Sequence, residues 1–456
     1  MSNSISYRLS SLSYAWPGSW VNSYNLLFIL SGITVIAFLP TFSNDFQLAW
    51  DDTWQVLENP LVHASSLQSI TYHFTHFWQQ QFSPVNSLFY LVILKLFGVN
   101  ASAFHMACLL IHCCNTALVF LIAKKLLPTL LPRVDDAKIS SYAFFTALIF
   151  AIHPVQVESV AWISASKILL YGFFTLTALY CYIRYIQSSH YGWLVITVVA
   201  FLLGFGSKEQ AIILPLNLVL FDYAFGRYAG LTWKRLLTSR VLLEKIPLLL
   251  MALSFWYFSW INNIGTINPD AYPLYQRAVF GFYSFTEYIF RFLAPVKLYF
   301  FHPFPIVLGE QLPLYFYGYI ALVGIVCYFV WDTYRKGNKL VLIGFLFFLI
   351  NLLLVLHIIP LPRTVITADR YMYLSIVEIA MVLVWQVDLW LTSFPTSGKT
   401  TLLVLGFAWF TFLGIHSYMR TADWKDSETA KANVNEIIEL RQKSQEPELF
   451  NLIENE

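Results

Sequence analysis

The sequence predicts an all-α protein that crosses a membrane many times, and two features of its composition indicate this class. Of its 456 residues, 58% are hydrophobic and only 12% are charged, whereas a soluble domain carries roughly 25% charged residues. The hydrophobic residues also recur in long runs, and a membrane-spanning helix needs about 20 largely apolar residues. We therefore expect a polytopic integral membrane protein. The net charge of +2 gives no indication of nucleic-acid binding.

About eleven apolar runs qualify as predicted membrane spans. They cover residues 22–40, 102–127, 140–161, 166–187, 191–206, 209–225, 242–262, 313–331, 339–358, 371–391 and 400–418. No small-x-small cleavage site follows the first run, so we expect it to be retained as a helix. Residues 84–98 are apolar but short and begin with Pro84, which favours a juxtamembrane helix lying in the interface.

The positive charges predict the orientation of these spans. Lys and Arg are enriched in cytoplasmic loops, and they cluster in three connections, near residues 124–138, 227–245 and 335–339. If all three are cytoplasmic, the N-terminus is cytoplasmic and the first loop is extracytoplasmic. Residues 276–298 also resemble a span, but a crossing there would place the positive connection near 335–339 on the outer side. The segment carries a polar stripe as well, so we expect an outer-face helix or re-entrant element there. An ordinary span remains the alternative for that segment.

The predicted domain organisation follows from the same pattern. Residues 1–418 form one transmembrane domain, in which residues 41–100 are an outer loop with juxtamembrane helices. Residues 419–456 form a short polar extracytoplasmic tail, for which we expect one short amphipathic helix.

Under this topology, polar clusters from distant parts of the chain fall on the outer side. Ionisable groups close to a bilayer are unfavourable, so a set of them on one face indicates a site. The residues are Asp51, Asp52, His105, His112, His153, Glu158, Lys167, Lys208, Glu209, Arg291, His302, Asp369, Arg370 and Tyr371.

Each cluster also has a purely structural interpretation. Asp51 and Asp52 precede the segment TWQVLENP, and Asp is a favourable helix N-cap. The other sets can be core histidines or ion pairs of little energetic value: His105 with His112, Lys208 with Glu209, and Asp369 with Arg370.

The chemistry that such a site suits is group transfer from a lipid-linked donor. A carboxylate such as Asp51 or Asp52 can act as general base toward an acceptor hydroxyl. Arg and Lys side chains can hold a phosphate leaving group; the candidates are Lys167, Lys208, Arg291 and Arg370. The sugar or acceptor pocket would be shaped by Trp54, His153, Glu158, Glu209, His302, Asp369 and Tyr371. Walker, GxSxG, HExxH and Rossmann motifs do not occur in the sequence.

Several blocks of the sequence resemble one known family. AWDDTWQVLENPLV is followed in order by FAIHPVQVESVAWISASKILLY, GFGSKEQAIILPLNLVLFDY, YIFRFLAPVKLYFFHPFP, ADRYMYLS and DWKDSETAKANV. These blocks cover most of the chain between about residues 45 and 435. They are similar to the transmembrane and tetratricopeptide-repeat-containing O-mannosyltransferases and their bacterial relatives.

The resemblance implies a GT-C-fold glycosyltransferase that uses a polyprenyl-phosphate sugar on the extracytoplasmic or lumenal side. It implies that an Asp on the first outer loop, here Asp51 or Asp52, acts as base or orients the acceptor. It further implies inversion at the anomeric carbon. Metal dependence differs among GT-C branches, so we expect no obligatory metal but leave a divalent cation at the acidic pair open.

Two departures from the family pattern affect these expectations. The tetratricopeptide repeats that would follow DWKDSETAKANV do not appear in the sequence, so acceptor recognition through repeats is in doubt or belongs to another subunit. Many relatives have an acidic residue after the Lys of the ISxxK block, where this chain has Ile168 after Lys167. The charge near the donor phosphate is therefore less negative, and donor choice can differ.

The leading hypothesis is an integral membrane glycosyltransferase, in a bacterial inner membrane, that moves mannose or another hexose from a polyprenyl phosphate to a hydroxyl of a protein or envelope glycan. One alternative is a lipid-linked sugar flippase or transporter, which would need polar residues through the membrane midplane. A non-catalytic membrane scaffold that has kept the fold is another.

Overall fold

The fold is almost entirely helical, as the sequence predicts. The computed structural model describes residues 22–442 except 49, 80, 231, 233–234, 236–238, 264–271, 297, 299–301 and 360–364. Helices make up about 80% of the structure. The described residues contain no β-strand and only two isolated bridges, Trp78–Gln81 and Pro303–Val365.

The α-helices of the described residues are numbered here in chain order. They are α1 (Ser23–Ala37), α2 (Pro60–His63), α3 (Leu67–Thr75), α4 (Pro84–Phe97), α5 (Ala101–Leu130), α6 (Asp136–Ile152), α7 (Val157–Ala161), α8 (Ser166–Ser188), α9 (Tyr191–Ser207), α10 (Leu214–Ala224), α11 (Arg240–Leu243), α12 (Ile246–Asn263), α13 (Leu274–Leu293), α14 (Gly318–Arg335), α15 (Lys339–Leu352), α16 (Ile376–Ser393), α17 (Thr396–Arg420) and α18 (Ser427–Gln442). Short 3₁₀ or π turns join several of them, including Thr53–Leu57, Ile163–Ala165, Glu209–Ile213, Asp369–Met372 and Thr421–Trp424.

Six helices in the described part of the chain are long and apolar enough to cross a membrane. They are Ala101–Leu130, Ile163–Ser188, Arg240–Asn262, Leu314–Arg335, Ile376–Ser393 and Thr396–Trp424. Each coincides with one of the predicted runs. Four further apolar helices are shorter: Ser23–Ala37, Pro84–Phe97, Tyr191–Ser207 and Lys339–Val355. This set of helices indicates a membrane protein.

One predicted span is broken in the structure. The run 140–161 is divided into α6 and the short segment Pro154–Ala161, which bends away by 51°. The break falls at His153–Pro154, because proline lacks the N–H that would continue the helix and disfavours helical backbone in the residue before it. If the bent pair is one span, it is the seventh candidate in the described residues. The bend places Glu158 within contact of Arg370, in the polar region that the next subsection describes.

The core of the bundle is formed by α5, α6 and α8. The span that contains α8 is 78% buried, whereas Leu314–Arg335 is only 11% buried and lies at the edge. Gly172 on α8 shows how close the packing is, since a Cβ there would lie 2.6 Å from the ring of Tyr373. A side chain at this position would therefore push α8 away from the segment that carries Asp369 and Arg370.

The first loop folds as a series of short helices over one end of this bundle. Helix α4 confirms the predicted helix at 84–98, and Gly98 ends it with a positive φ of 66°. The start of α4 lies against the end of α9, since a Cβ on Gly206 would come within 2.9 Å of Val85. Within the predicted segment 276–298, residues 276–293 belong to one continuous helix, α13, which ends at Leu293; Lys297 lies outside the described residues.

The tail contains the predicted helix, α18, and the turn before it holds the first loop. The side chain of Asn44 donates to the carbonyl of Thr421 at 2.9 Å, and that of Gln47 donates to the carbonyl of Trp424 at 2.8 Å. The indole of Trp424 also stacks on Trp162 at a centroid distance of 5.2 Å. These contacts fix the backbone that leads into Asp51 and Asp52.

Candidate active site

Asp52 is completely buried and its carboxylate is held by the neighbouring backbone. One oxygen accepts a hydrogen bond of 2.9 Å from the N–H of Gln47, and the other accepts one of 2.9 Å from the N–H of Ser164 and a further one from its hydroxyl. Its side chain makes no cap bond to the following turn, Thr53–Leu57. The helix-cap interpretation is therefore wrong for Asp52, whose role is to join the first loop to the start of α8.

Burial determines the acidity of this group. Loss of solvent raises the pKa of Asp52 to about 6, although the hydrogen bonds from Gln47 and Ser164 act in the opposite direction. The negative charge of Asp51 makes a smaller contribution to the same rise in pKa. Asp52 is therefore an acid that titrates close to neutral pH but has no open face toward a substrate.

Asp51 has the opposite environment. Its side chain is 31% exposed and lies 3.8 Å from the ammonium of Lys167. It accepts a 3.1 Å hydrogen bond from the amide of Gln55, and Lys167 donates to the side-chain oxygen of Gln81 at 2.8 Å. Two neutral glutamines thus hold an accessible carboxylate and a cation next to each other.

A second charged pair lies beside the first. The guanidinium of Arg370 forms an ion pair with the fully buried Glu158, and its backbone N–H donates to the other carboxylate oxygen at 2.8 Å. Burial alone would lower the pKa of Arg370, but the charges of Glu158, Tyr371 and Asp51 together raise it above its ordinary value. The side chain remains 15% exposed and lies over the rings of Trp162 and Tyr371, at 5.7 and 5.0 Å.

A third group of charges is centred on Asp369, which is fully buried. Arg420 contacts one of its oxygens at 2.7 Å and Arg291 the other at 3.4 Å. Arg291 also donates to the hydroxyl of Thr367 at 2.9 Å and lies 3.2 Å from a ring nitrogen of His302. Buried charges require such compensation, and this group ties the ends of α13 and α17 to the segment before α16.

His153 belongs to the break after α6, and Trp54 belongs to the first loop. The ring of His153 is buried, stacks on Phe292 and is hydrogen-bonded to the carbonyl of Phe292 at 2.9 Å, so it is an integral part of the break after α6. Trp54 lies in the first loop, where its carbonyl accepts from the indole of Trp78 at 3.2 Å. His112 is bonded to Tyr373 and to the carbonyl of Ala151, which agrees with its interpretation as a core histidine.

Lys208 and Glu209 follow α9 at the same end of the bundle. Glu209 accepts a 2.9 Å hydrogen bond from Ser259 on α12. The ring of Phe205, one turn earlier, lies 5.7 Å from Phe82 in the first loop. The structure thus places this pair near the first loop, with a link to α12.

Three residues that the sequence analysis did not select are essential to this arrangement. Ser164 holds Asp52, Gln81 holds Lys167, and Arg420 neutralises Asp369. Ser164 lies within the ISAS block, and Arg420 is an isolated charge at the end of an apolar run. Both residues could therefore have been selected from the sequence. Gln81 follows two other glutamines, and nothing in the sequence distinguishes it.

The arrangement combines one accessible carboxylate with two cations at its side. Asp51 can accept a proton, and Lys167 and Arg370 can hold an anion beside it. Within the described residues, no three His, Cys, Asp or Glu side chains form a group that could hold a metal ion. The expectation of a non-obligatory cation at Asp51 and Asp52 stays a prediction.

Comparison with known proteins gives distant relatives. The chain is 26% identical over 171 residues to Protein O-mannosyl-transferase F38B6.6 of Caenorhabditis elegans, a match that covers 35% of this chain and 23% of that protein. It is 25% identical over 142 residues to Protein O-mannosyl-transferase TMTC1 of mouse and of human, which covers 29% of this chain and 14% and 15% of those proteins. The matched region thus spans less than a quarter of the length of these relatives. No protein-family model and no solved structure matches the chain.

Proposed function

We propose that this chain is a membrane glycosyltransferase of the GT-C type. It transfers mannose or another hexose from a polyprenyl phosphate to a hydroxyl of a protein or an envelope glycan. The observation that carries the proposal is the pairing of the accessible Asp51 carboxylate with Lys167 at 3.8 Å, beside Arg370. The similarity to proteins named O-mannosyl-transferases supports the same reaction class.

Asp51 is the proposed general base, and Asp52 is the proposed positioning residue. A base must come within hydrogen-bonding distance of the proton that it removes. Asp51 is 31% exposed, whereas both oxygens of Asp52 are occupied by Gln47 and Ser164 inside the protein. Adjacent residues face different directions, so only one member of the pair is open to the site.

Lys167 and Arg370 are the proposed phosphate ligands. Lys supplies a compact point charge and Arg a planar fork that can bind two phosphate oxygens. Arg291 is also cationic, but it is only 7% exposed and Asp369, Thr367 and His302 all engage its guanidinium. Arg370 is paired with Glu158, but it is 15% exposed and close enough to Asp51 for the two charges to interact. We assign Arg291 to holding its segment in place and leave Lys208 as a further ligand for the donor.

The reaction step then proceeds as a single displacement. Asp51 removes the proton from the acceptor hydroxyl, and the oxygen attacks the anomeric carbon from the face opposite to the phosphate. The bond between that carbon and the phosphate oxygen breaks, and its electron pair stays on the polyprenyl phosphate. Lys167 and Arg370 stabilise the charge that develops there. The configuration at the anomeric carbon inverts, and no metal ion is required.

Eleven spans fit the described helices under this proposal. They are the six long candidates, the bent pair Asp136–Ala161, the shorter helices Ser23–Ala37, Tyr191–Ser207 and Lys339–Val355, and the run from Glu209 to Ala224. Helices α4 and α13 then lie at the surface of the membrane. The polar groups are on the extracytoplasmic side of a bacterial inner membrane, because the Lys- and Arg-rich loops occupy the opposite side.

The direct test is transfer of radiolabelled hexose from a polyprenyl-phosphate donor by the purified protein in lipid nanodiscs. We expect Asp51→Asn to lower the turnover rate by about 10²–10⁴-fold, the usual contribution of a general base. The control is Glu58→Gln, which removes an exposed carboxylate from the same loop. Activity in the presence of EDTA tests the absence of an obligatory metal.

Three outcomes would contradict the proposal. Full activity of a folded Asp51→Asn variant would show that Asp51 is not the general base. Movement of the intact lipid-linked sugar across the membrane, without transfer, would favour a flippase. Absence of donor binding by the folded protein would favour a scaffold.

A further inference from the structure

A small cleft lies behind the proposed base, within the first loop. The π turn after Asp52, helix α3 and the start of α4 enclose it, and its walls include Trp54, Gln55, His73, Trp78, Gln81 and Tyr90. The cavity volume is about 10 Å³, which is the lower limit for one water molecule or one hydroxyl group. The cleft thus admits a small polar group and excludes a complete sugar ring.

The cleft is connected to both charges of the proposed site. Gln55 donates to Asp51 at 3.1 Å and accepts from the hydroxyl of Tyr90 at 3.3 Å. Gln81 accepts from Lys167 at 2.8 Å. The two glutamine side chains therefore separate the cleft from the charges, and the walls contain no Asp, Glu, Lys or Arg among the described residues. Such a lining favours a neutral ligand.

His73 provides a polar atom for which the described residues supply no partner. The residue is only 4% exposed, and its Nε2 atom has no hydrogen-bond partner among the described residues. The ring also interacts with the backbone of Leu61, and Nε2 is the ring nitrogen that is left without a partner among the described residues. Burial lowers the pKa of His73, which keeps the ring neutral. His73 lines the cleft, and a buried polar atom needs a hydrogen-bond partner, which a small hydroxyl group in the cavity can supply when Nε2 is unprotonated.

The walls also favour a ligand with an apolar face. Trp54 and Trp78 are linked by the 3.2 Å hydrogen bond between indole and carbonyl, which fixes Trp78 at the cleft. Binding sites commonly combine aromatic walls with a few placed polar groups. A hexose offers both features, because its ring has C–H groups on its faces and neutral hydroxyls at its edge.

We propose that this cleft binds a neutral hexose, one hydroxyl of which enters the cavity and donates to Nε2 of His73. The ring itself lies at the mouth of the cleft, against the two tryptophans. The inference rests on the proposed function, which supplies two sources of hexose: the sugar of the donor or a sugar of a glycan acceptor. In both cases the hydroxyl lies beside Gln55, which contacts the proposed base.

The experiment measures binding of methyl mannoside by saturation-transfer NMR, with the full chain in nanodiscs and without donor. His73→Phe removes the acceptor, and His73→Gln restores an acceptor oxygen. The control is Thr71→Val, which alters an exposed side chain of the same helix that does not line the cleft. We expect His73→Phe to weaken binding about tenfold, His73→Gln to recover most of it, and the control to bind as the unaltered protein does.

A second arm identifies the source of the sugar. If the cleft holds the donor sugar, His73→Phe weakens binding of the polyprenyl-phosphate hexose but not of the polyprenyl phosphate alone. If it holds an acceptor glycan, the variant binds both lipids normally and loses only the glycoside.

Three results would overturn the proposal. The first is that the unaltered protein fails to bind the glycoside. The second is that a folded His73→Phe variant binds it with unchanged affinity. Either result would mean that the cavity holds only water. Alternatively, a serine-containing peptide binds in a His73-dependent manner while the glycoside does not. Failure of the proposed function alone looks different: the glycoside binds through His73, but no polyprenyl-phosphate hexose is turned over.

Discussion

Replacement of Ser164 by alanine is expected to destabilise the protein in a pH-dependent manner. Ser164 donates two hydrogen bonds to the buried Asp52, one from its backbone N–H and one from its hydroxyl. The substitution removes only the second. A hydrogen bond to a charged group contributes about 1.5–3 kcal/mol, and one pKa unit corresponds to about 1.4 kcal/mol. The pKa of Asp52, now about 6, should therefore rise by roughly one to two units.

The sign of the effect follows from proton linkage. The pKa of Asp52 in the folded protein is raised from 3.8 to about 6, so the folded state binds this proton more tightly than the unfolded state. This contribution to stability is complete below pH 3.8 and is lost as the pH rises through 6. It amounts to about 3 kcal/mol in the unaltered protein. In Ser164→Ala the decline should continue to roughly pH 7–8.

The assay is equilibrium unfolding in mixed detergent micelles at pH 5 and pH 8. The free energy lost by Ser164→Ala should be about 1.3–2.3 kcal/mol greater at pH 8 than at pH 5. Ser417→Ala is the matched control, because this buried hydroxyl donates to the neutral carbonyl of Ile152 at 2.7 Å. The free energy of unfolding of this control variant should fall by about 1 kcal/mol at both pH values. An equal loss at pH 5 and pH 8 for Ser164→Ala would refute the reasoning.

Three further perturbations test other parts of the molecule. Asp222→Asn should lower the free energy of unfolding by about 3–5 kcal/mol, because the completely buried Lys245 then keeps only its 3.8 Å contact to Glu244; an Asp222→Asn/Lys245→Met double variant, followed by the same unfolding assay, should lose less than the sum of the two single changes. Arg420→Met should cost a similar amount in that assay, since Asp369 keeps only its 3.4 Å contact to arginine; an unchanged unfolding midpoint would contradict this. Lys167→Met should raise the KM for the polyprenyl-phosphate donor about tenfold and reduce the dependence of KM on salt, which initial-rate measurements would detect.

The sequence predicted the fold class because that class depends on composition and on local periodicity. A long apolar run with few charges forms a helix in a membrane. The lipid offers no hydrogen-bond partners, so the backbone N–H and C=O groups must bond to one another within the segment. Six of the predicted runs correspond to the long helices, and the tail helix was also predicted. The break at Pro154 was missed, although a local signal was present, because a strong apolar run obscured it.

The sequence also identified most of the charged residues that meet at one end of the bundle, but it did not indicate which partner each would have. Asp52 is 112 residues from Ser164, and Glu158 is 212 residues from Arg370. Contacts at such separations depend on how helices pack, which one sequence does not reveal. Arg370 and Arg291 were equivalent candidates from the sequence. Each pairs with a buried carboxylate in the structure, but Arg370 also interacts with the charge of Asp51, and its side chain is the more exposed of the two.

The pair Asp51–Asp52 shows where the sequence reached its limit. From the sequence, both are adjacent carboxylates on the first loop, with equal claims to act as a base. Only the tertiary structure turns Asp52 inward, where Gln47 and Ser164 enclose it, and leaves Asp51 open beside Lys167. The physical reason is that burial and hydrogen bonding are determined by atoms far away in the chain, whereas the residue type is local.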